Sequence, residues 1–451
     1  MHPSHPTRLT LLPPVLNADT QSIRFAYIHS FSERPDERYE ETLTLPAALW
    51  NEQRLSSPAS ERLLVHLSLA LSLSYWKMYC PSEVLPYTAL TPTEAALWNT
   101  LYGDAMGEFL FRNQIDPSIR TPFAGTAHHQ SQPRPMMRDF AIVPFGGGKD
   151  SLLTLQLLQQ SGTPFEPFTL GSSVVQEQSL ARLELQACTI KRTLDPEMIR
   201  KSKSGEAYNG HVSITLIYAL SAALVALLRD ARWAVFSNEW SASEATTVWN
   251  GRAINHQWSK SLEAERLIRE LIHTSVAPDL TVFSLLRPLT EVGIIARVAC
   301  ELQPLFGSFS SCNRNFVIAS DRPHRADAAY WCGTCPKCAF VGLVFAVFID
   351  KQALIHLLGT NPLEQAELLP LYEELLGRTS HKPFECVGTM EETAACLKAL
   401  ARHPQYQNDV IVRTLSPLLP TSIPSIDELR HPIAEAVQEL PSSFQSLYDH
   451  R

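Results

Sequence analysis

The chain lacks most of what would place it on nucleic acid or in a membrane. No arginine-rich run or basic tail occurs in its 451 residues, and the formal net charge is -8. Phosphate backbones are held by clustered lysine and arginine, so the balance argues against RNA or DNA as the main partner. The start, Met1-His2-Pro3-Ser4-His5-Pro6, has neither the basic opening nor the apolar core of a secretory signal. One uncharged apolar run, residues 212–228, sits at the short end of the ~17–25 residues that a spanning helix needs. It carries Ser213, Thr215 and Ser221 and reads better as a buried helix, so no membrane insertion is expected. There is no internal repeat, and no G-x-x-x-x-G-K-[ST] phosphate loop. Hydrophobic content of 45% and charged content of 19% are those of a soluble globular chain long enough for two or three domains. Nine cysteines, three of them bunched, fit a reducing cytosol and a metal site rather than a disulfide framework. The expected location is cytoplasmic.

What is present begins with Phe145-Gly146-Gly147-Gly148-Lys149-Asp150-Ser151. An apolar run at 140–144 precedes it and a helical pattern at 151–160 follows. Strand, glycine loop and helix point free backbone N–H groups at a phosphate, and consecutive glycines let the backbone approach an anion. Lys149 adds positive charge and Ser151 a first-turn hydroxyl. Asp150 beside a phosphate calls for magnesium between them. The combination argues for a nucleoside triphosphate cleaved between its α and β phosphates. A plain glycine turn is the bland alternative, and the full string after an apolar strand weighs against it.

Strand patterns at 140–144, 167–170, 233–236 and 280–285 alternate with helical ones at 151–160, 178–187, 212–228, 262–272 and 291–301. Such alternation predicts an α/β fold, a doubly wound parallel sheet with ligands at the strands' carboxyl ends. The expected division is an N-terminal α+β region at 1–138, an ATP-binding catalytic domain at 139–350 and a helical C-terminal region at 351–451. Residues 125–135 read as a linker, and the first region as a domain that closes over the substrate.

Cys332, Cys335 and Cys338 form C-x2-C-x2-C, with Cys312 upstream. Four thiolates at such gaps close a structural metal site, with zinc preferred over an iron–sulfur cluster. Four polar strings follow strands or precede helices: Tyr208-Asn209-Gly210-His211, the stretch from Ser237 to Glu244, Asn255-His256-Gln257-Trp258-Ser259-Lys260-Ser261, and Arg287-Pro288-Leu289-Thr290-Glu291. Asn209 and His211 also suit helix caps, and Glu244 and Glu291 read as solvated first-turn carboxylates.

The glycine string resembles the S-G-G-x-D-S loop of the PP-loop ATP pyrophosphatases. The cysteines are similar to the zinc knob of the PP-loop enzymes that make 7-cyano-7-deazaguanine, with a longer first gap here, Asn313 to Trp331. Together GGGKDS, NGHVSIT, SNEWSASE, NHQWSKSLEAE, RPLTE and CGTCPKCAFV resemble the UDP-N-acetylmuramoyl-L-alanyl-L-glutamate epimerase family over about 140–348. The resemblance implies a PP-loop (adenine nucleotide alpha hydrolase-like) sheet, with ATP and Mg2+ on Phe145 to Ser151. It implies adenylation of the terminal glutamate's α-carboxylate, inversion at the α-carbon, and release of AMP and pyrophosphate. A nucleotide-sugar dipeptide would be the substrate, with functional coupling to the ligase that adds L-Glu. His211, Glu239, His256 and Lys260 are the candidate acid–base residues; Asn209, Asn238, Asn255 and Arg287 are the candidate substrate contacts. The alternatives are a deazaguanine-type synthase, a transfer-RNA thiolase, and a nucleotide-binding module without chemistry.

Overall fold

The computed structural model describes residues 6–116, 122–128, 135–316, 331–379 and 381–449. Most of the expected linker, at 129–134, and most of the insert between Asn313 and Trp331, at 317–330, lie outside the described residues.

The first region supplies β1 (Arg8–Leu11), β2 (Val15–Asn17), β3 (Ser22–Ser30), β4 (Glu37–Thr44) and β5 (Glu83–Leu85). The alternating part supplies β6 (Arg138–Pro144), β7 (Phe165–Leu170), β8 (Cys188–Thr193) and β9 (Ala231–Phe236). A hairpin of β10 (Thr247–Trp249) and β11 (Arg252–Ile254) follows, then β12 (Thr281–Ser284). Ten strands form one sheet in the order β12-β9-β6-β7-β8-β4-β3-β1-β5, with β2 on β3. From β12 to β8 every pairing is parallel. The first region joins antiparallel through β4 on β8, with Leu43 opposite Arg192. The sheet therefore runs unbroken across the boundary expected near residue 138.

Chain order places β6 at the centre of the parallel part, β7 and β8 on one side, β9 and β12 on the other. The switch point lies between β6 and β9, which is where open α/β sheets bind ligands. Alternation along β6 serves two cores. Ile142 belongs to the apolar cluster that includes the helix Ile214–Arg229, while Ala141 and Val143 belong to that of Lys149–Ser161, Glu291–Glu301 and Pro336–Phe348.

The uncharged run becomes the helix Ile214–Arg229, buried along Leu216 to Leu228 apart from Tyr218. Among the described residues no helix is long and apolar enough to cross a membrane. Two expectations shift. Val174–Arg182 starts four residues before the predicted 178, because Ser173 caps it by accepting from the Gln176 amide. Strand β8, CTIKRT, was absent from the expected list: only Cys188 and Ile190 are buried, and its polar alternate residues mask the pattern. Beyond residue 335 the chain is helical.

A buried polar knot braces the first region. Glu94 accepts from Arg62 Nε at 2.7 Å and lies 3.2 Å from His66 Nε2, and Trp98 Nε1 donates to His66 Nδ1 at 3.0 Å. Burial would raise the Glu94 carboxyl, but His66 and Arg62 hold it below the usual carboxylate range. Removing one partner strands the others, so Glu94→Ala is expected to cost ~3 kcal/mol in chemical denaturation. The depressed carboxyl stabilises the fold above its unfolded value. The wild type is therefore expected to lose the Glu94 contribution as pH falls below about 4, while E94A shows a flatter acid limb.

Candidate active site

The glycine loop leaves β6 at the switch point and is shaped by its neighbours. Gly147 has φ +75, and a Cβ there would sit 3.1 Å from Val175 Cγ1 and 3.2 Å from the Gln176 nitrogen. At Gly148 a Cβ would meet Ser311 Oγ at 3.1 Å, whereas Gly146 faces open space. Gln176 Nε2 donates to the Phe145 carbonyl at 2.8 Å, and the Ser310 amide to the Gly147 carbonyl at 3.1 Å. Gly148 starts the helix Lys149–Ser161 and offers no side chain to cap it, and Ser311 Oγ accepts only from the first amide, that of Lys149, at 3.4 Å. The positive end of that helix is therefore available to an anion at the loop. Ser151 Oγ is turned back, donating to the Gly148 carbonyl at 3.0 Å.

Behind the loop lies a fully buried charge cluster. Lys149 is 0% exposed; its Nζ donates to Asp150 and, at 2.5 Å, to Glu291 Oε2. Lys337 donates to the other oxygen of Glu291 at 2.5 Å. Glu291 is 1% exposed, so its expected solvated position is corrected: the first-turn carboxylate of Glu291–Glu301 is turned into the core to meet two ammonium groups. Burial alone would raise its carboxyl, but Lys149 and Lys337 bring it down to about 2. Glu239, three residues after β9, is buried nearby with no ion pair to a cation among the described residues. Burial, reinforced by the negative charge of Glu291, pushes its carboxyl up to about 7, against the pull of Lys260. A carboxyl in that range exchanges protons at neutral pH.

On the far side of Glu239 stand Lys260, Cys386, His256, Glu108 and His211. Lys260 Nζ lies 3.2 Å from Cys386 Sγ. His256 Nδ1 lies 2.6 Å from Glu108 Oε2, and the ring is near enough to Cys386 for the two to shift each other's protonation. Burial would raise the Cys386 thiol, but Lys260 and His256 pull it down to about 6. Burial would likewise lower His256, and Cys386 and Glu108 lift it to about 9. The pair is thus a thiolate beside an imidazolium at neutral pH. His211 packs on His256 with ring centroids 4.9 Å apart, and burial lowers it to about 4, so it stays neutral. Glu108, His211 and His256 bring ligand atoms within 4.8 Å of one another. The short Glu108–His256 bond already satisfies both, so the group is read as acid–base machinery.

The expected substrate contacts fare differently. Arg287 is fully buried and donates to the Glu239 carbonyl at 2.5 Å, the Lys260 carbonyl at 2.8 Å and Glu265 at 2.8 Å. Its guanidinium ties together the loops that carry Glu239 and Lys260 and is closed to substrate, which corrects the expectation. Asn255 spends its side chain between the Ala242 carbonyl and the Gln257 amide. Asn209 is exposed and accepts from Lys77 at 3.4 Å, and Asn238 is half-buried after β9. Neither Asn209 nor His211 caps the following helix, whose start is Ser213. Glu244 pairs with the buried Lys382 at 2.9 Å. The residues that sequence reasoning missed are Glu108, Lys337 and Cys386. Only Lys337, inside C-x2-C, lay near a motif.

Cys312, Cys332, Cys335 and Cys338 are brought together as expected, all four sulfurs within 4.8 Å. Cys312 and Cys335 are 3.9 Å apart and Cys332 and Cys338 3.7 Å. Thiolates ~2.3 Å from one tetrahedral zinc lie ~3.8 Å apart, so the donor set fits a closed metal site. The knuckle carries Lys337 into the charge cluster.

The fold and site define a mixed α/β protein with a glycine loop at the sheet's switch point and a buried cluster of ionisable side chains beside it. The MurL N-terminal domain model matches residues 3–285 and the MurL C-terminal domain model residues 308–428. A UDP-N-acetyl-alpha-D-muramoyl-L-alanyl-L-glutamate epimerase of Xanthomonas oryzae pv. oryzae is 35% identical over 399 residues, covering 88% of this chain and 86% of that protein. Proteins with the same description from a Micromonospora species and Salinispora tropica are each 33% identical, covering 85% of this chain and 85% and 83% of their own lengths. The chain belongs to the UDP-N-acetyl-alpha-D-muramoyl-L-alanyl-L-glutamate epimerase family.

If the knuckle holds zinc, elemental analysis of purified protein is expected to give about one equivalent per chain. The double variant C332S/C338S is expected to lose that metal and to melt several degrees lower.

Proposed function

We propose that this protein inverts the α-carbon of the terminal L-glutamate of UDP-MurNAc-L-Ala-L-Glu to give the D-epimer, using ATP and releasing AMP and pyrophosphate. The observation that carries the reading is the continuity of two sites. The glycine loop's helix is tied through Lys149 to Glu291 and Lys337, and the charge of Glu291 acts with burial on a nearby carboxyl, Glu239, to raise it to about 7. Family membership supports the same substrate, because the relatives are described as epimerases of that dipeptide. The nine unpaired cysteines suit a reducing, cytoplasmic setting. There the protein would take its substrate from the ligase that adds L-Glu.

The loop from Phe145 to Ser151 would act as a PP-loop, its amides facing the departing pyrophosphate. Magnesium, held through Asp150, would neutralise phosphate charge there. A free α-carboxylate makes its neighbouring C–H very weakly acidic, since deprotonation adds a second negative charge to the same carbons. Adenylation removes the first charge. Glu239 would then take the α-proton, and the Lys260 ammonium would stabilise the enolate oxygen. Inversion requires a proton to be delivered to the opposite face, and His256, raised so that it carries one and packed on the His211 ring, would be its donor. Asn209 and Asn238 are the open polar side chains left to bind the dipeptide, with Asn255 and Arg287 supporting the loops.

Incubation with ATP, magnesium and the L-Glu substrate in heavy water is expected to yield pyrophosphate and D-glutamate with one deuterium at Cα. Pyrophosphate without inversion would move the reading to another acceptor. Asp150→Asn is expected to slow pyrophosphate release by about 10²-fold or more. In wild type kcat/KM is expected to rise with pH toward a plateau above about 7, as Glu239 loses its proton. Glu239→Gln is expected to remove that limb and to stop deuterium uptake. A limb that persists in the variant would assign the base elsewhere.

A further inference from the structure

Cys386 has no part in the steps above, yet it stands in an arrangement that proton transfer alone does not require. A general base needs one titratable group in reach of its proton. An activated nucleophile needs three: the nucleophile, a base bonded to it, and a third group orienting that base. Cys386, His256 and Glu108 supply these three groups, with the imidazole held by Glu108 at 2.6 Å and near enough to the thiol to pull it down. Lys260 places an ammonium 3.2 Å from the sulfur. A second observation points to a ligand at the same place. Gln257 follows His256 in the chain and is 7% exposed. Its Nε2 donates to the carbonyl of Val387, next to Cys386, at 3.2 Å. Its Oε1 meets no donor among the described residues. A buried acceptor left without a donor costs free energy, and an amide N–H of a bound peptide would satisfy it.

We propose that Cys386 is a nucleophile that takes the substrate's acyl group from the adenylate as a thioester, with His256, oriented by Glu108, as its proton partner. The inference rests on the proposed ATP-dependent activation. In the first step the Cys386 thiolate attacks the acyl carbon, a C–S bond forms, and the bond from that carbon to the phosphate oxygen breaks. The electron pair leaves with AMP as its dianion, and the His256 imidazolium keeps its proton for the α-carbon, becoming neutral when it delivers it. Sulfur overlaps poorly with a carbonyl, so the thioester keeps the α-hydrogen acidic while resisting water better than a mixed anhydride. It also fixes the α-carbon in place while one face loses a proton and the other gains one. In the last step neutral His256 takes a proton from water as the oxygen attacks the carbonyl. The C–S bond breaks, and the thiolate and imidazolium are restored. The product acid then ionises.

The test uses the whole protein with ATP, magnesium and substrate carbon-14-labelled in its glutamate, quenched in acid during turnover. Wild type, or His256→Gln in which the hydrolysing base is lost, is expected to retain label on the peptide containing Cys386, and neutral hydroxylamine should release it. C386A is expected to hold no label and to lose epimerisation by about 10³-fold or more. It should still exchange pyrophosphate into ATP in the presence of substrate, because the adenylate forms before the thiol acts. Epimerisation by C386A near the wild-type rate would overturn the inference. So would the absence of hydroxylamine-sensitive label from both wild type and H256Q while exchange proceeds. No exchange in wild type would instead sink the ATP reading, and the thioester with it.

Discussion

One buried carboxylate, Glu291, holds the site together. Its two oxygens face two ammonium groups, Lys149 from the glycine loop's helix and Lys337 from the cysteine knuckle. Taking such ions out of water costs several kcal/mol each, and the mutual attraction offsets this only when every partner is present. That cost fixes the register of three distant segments: residues 149, 291 and 337 cannot separate without leaving a charge unpaired. Arg287, four residues before Glu291, repeats the device with backbone carbonyls, binding the turn after β9 to the turn before the helix Leu262–Ser275. The electrostatic setting of Glu239 follows. It is the carboxylate with no ion pair among the described residues in a cluster where its neighbour has two, so it holds its proton near neutrality while Glu291 does not.

What was legible in the sequence was whatever the chain spells out locally. The strand, the GGGKDS string and the helix after it occupy adjacent positions, and so do three of the four cysteines. The parallel strands at 140–144, 167–170, 233–236 and 280–285 were readable because both faces are covered and their apolar runs are continuous. Strand β8 was not, since it lies where the parallel part meets the antiparallel one and carries Lys191 and Arg192. Glu291 was misread for a related reason. A glutamate in a first helical turn usually faces water, and nothing within ten residues shows that its partners lie 142 and 46 residues away. Cys386 and Glu108 had no local signal at all. Each is a single residue in a loop or a short helix, made significant only by His256, which the sequence did mark.

The first region is part of the same sheet as the glycine loop's strand, through β4 on β8, and it contributes a side chain to the cluster around His256. Glu108 belongs to the short helix Gly107–Arg112, and its hydrogen bond to His256 spans 148 positions of sequence. The expected division into a lid, a catalytic domain and a helical appendage thus separates by sequence what the tertiary structure joins. The helical region likewise supplies Cys386 and, through Glu392, an acceptor at 3.0 Å for the Val292 amide beside Glu291.

The Cys386–His256–Glu108 cluster therefore draws on three stretches of chain that leave the ribosome at widely different times. The glycine loop and the carboxyl of Glu239 have been synthesised once about half the chain has emerged. The thiol arrives only with residue 386, just before the helix Met390–Leu400. Every strand of the sheet precedes Cys386 in the chain, so the sulfur joins His256 and Glu108 only after the whole sheet has been synthesised.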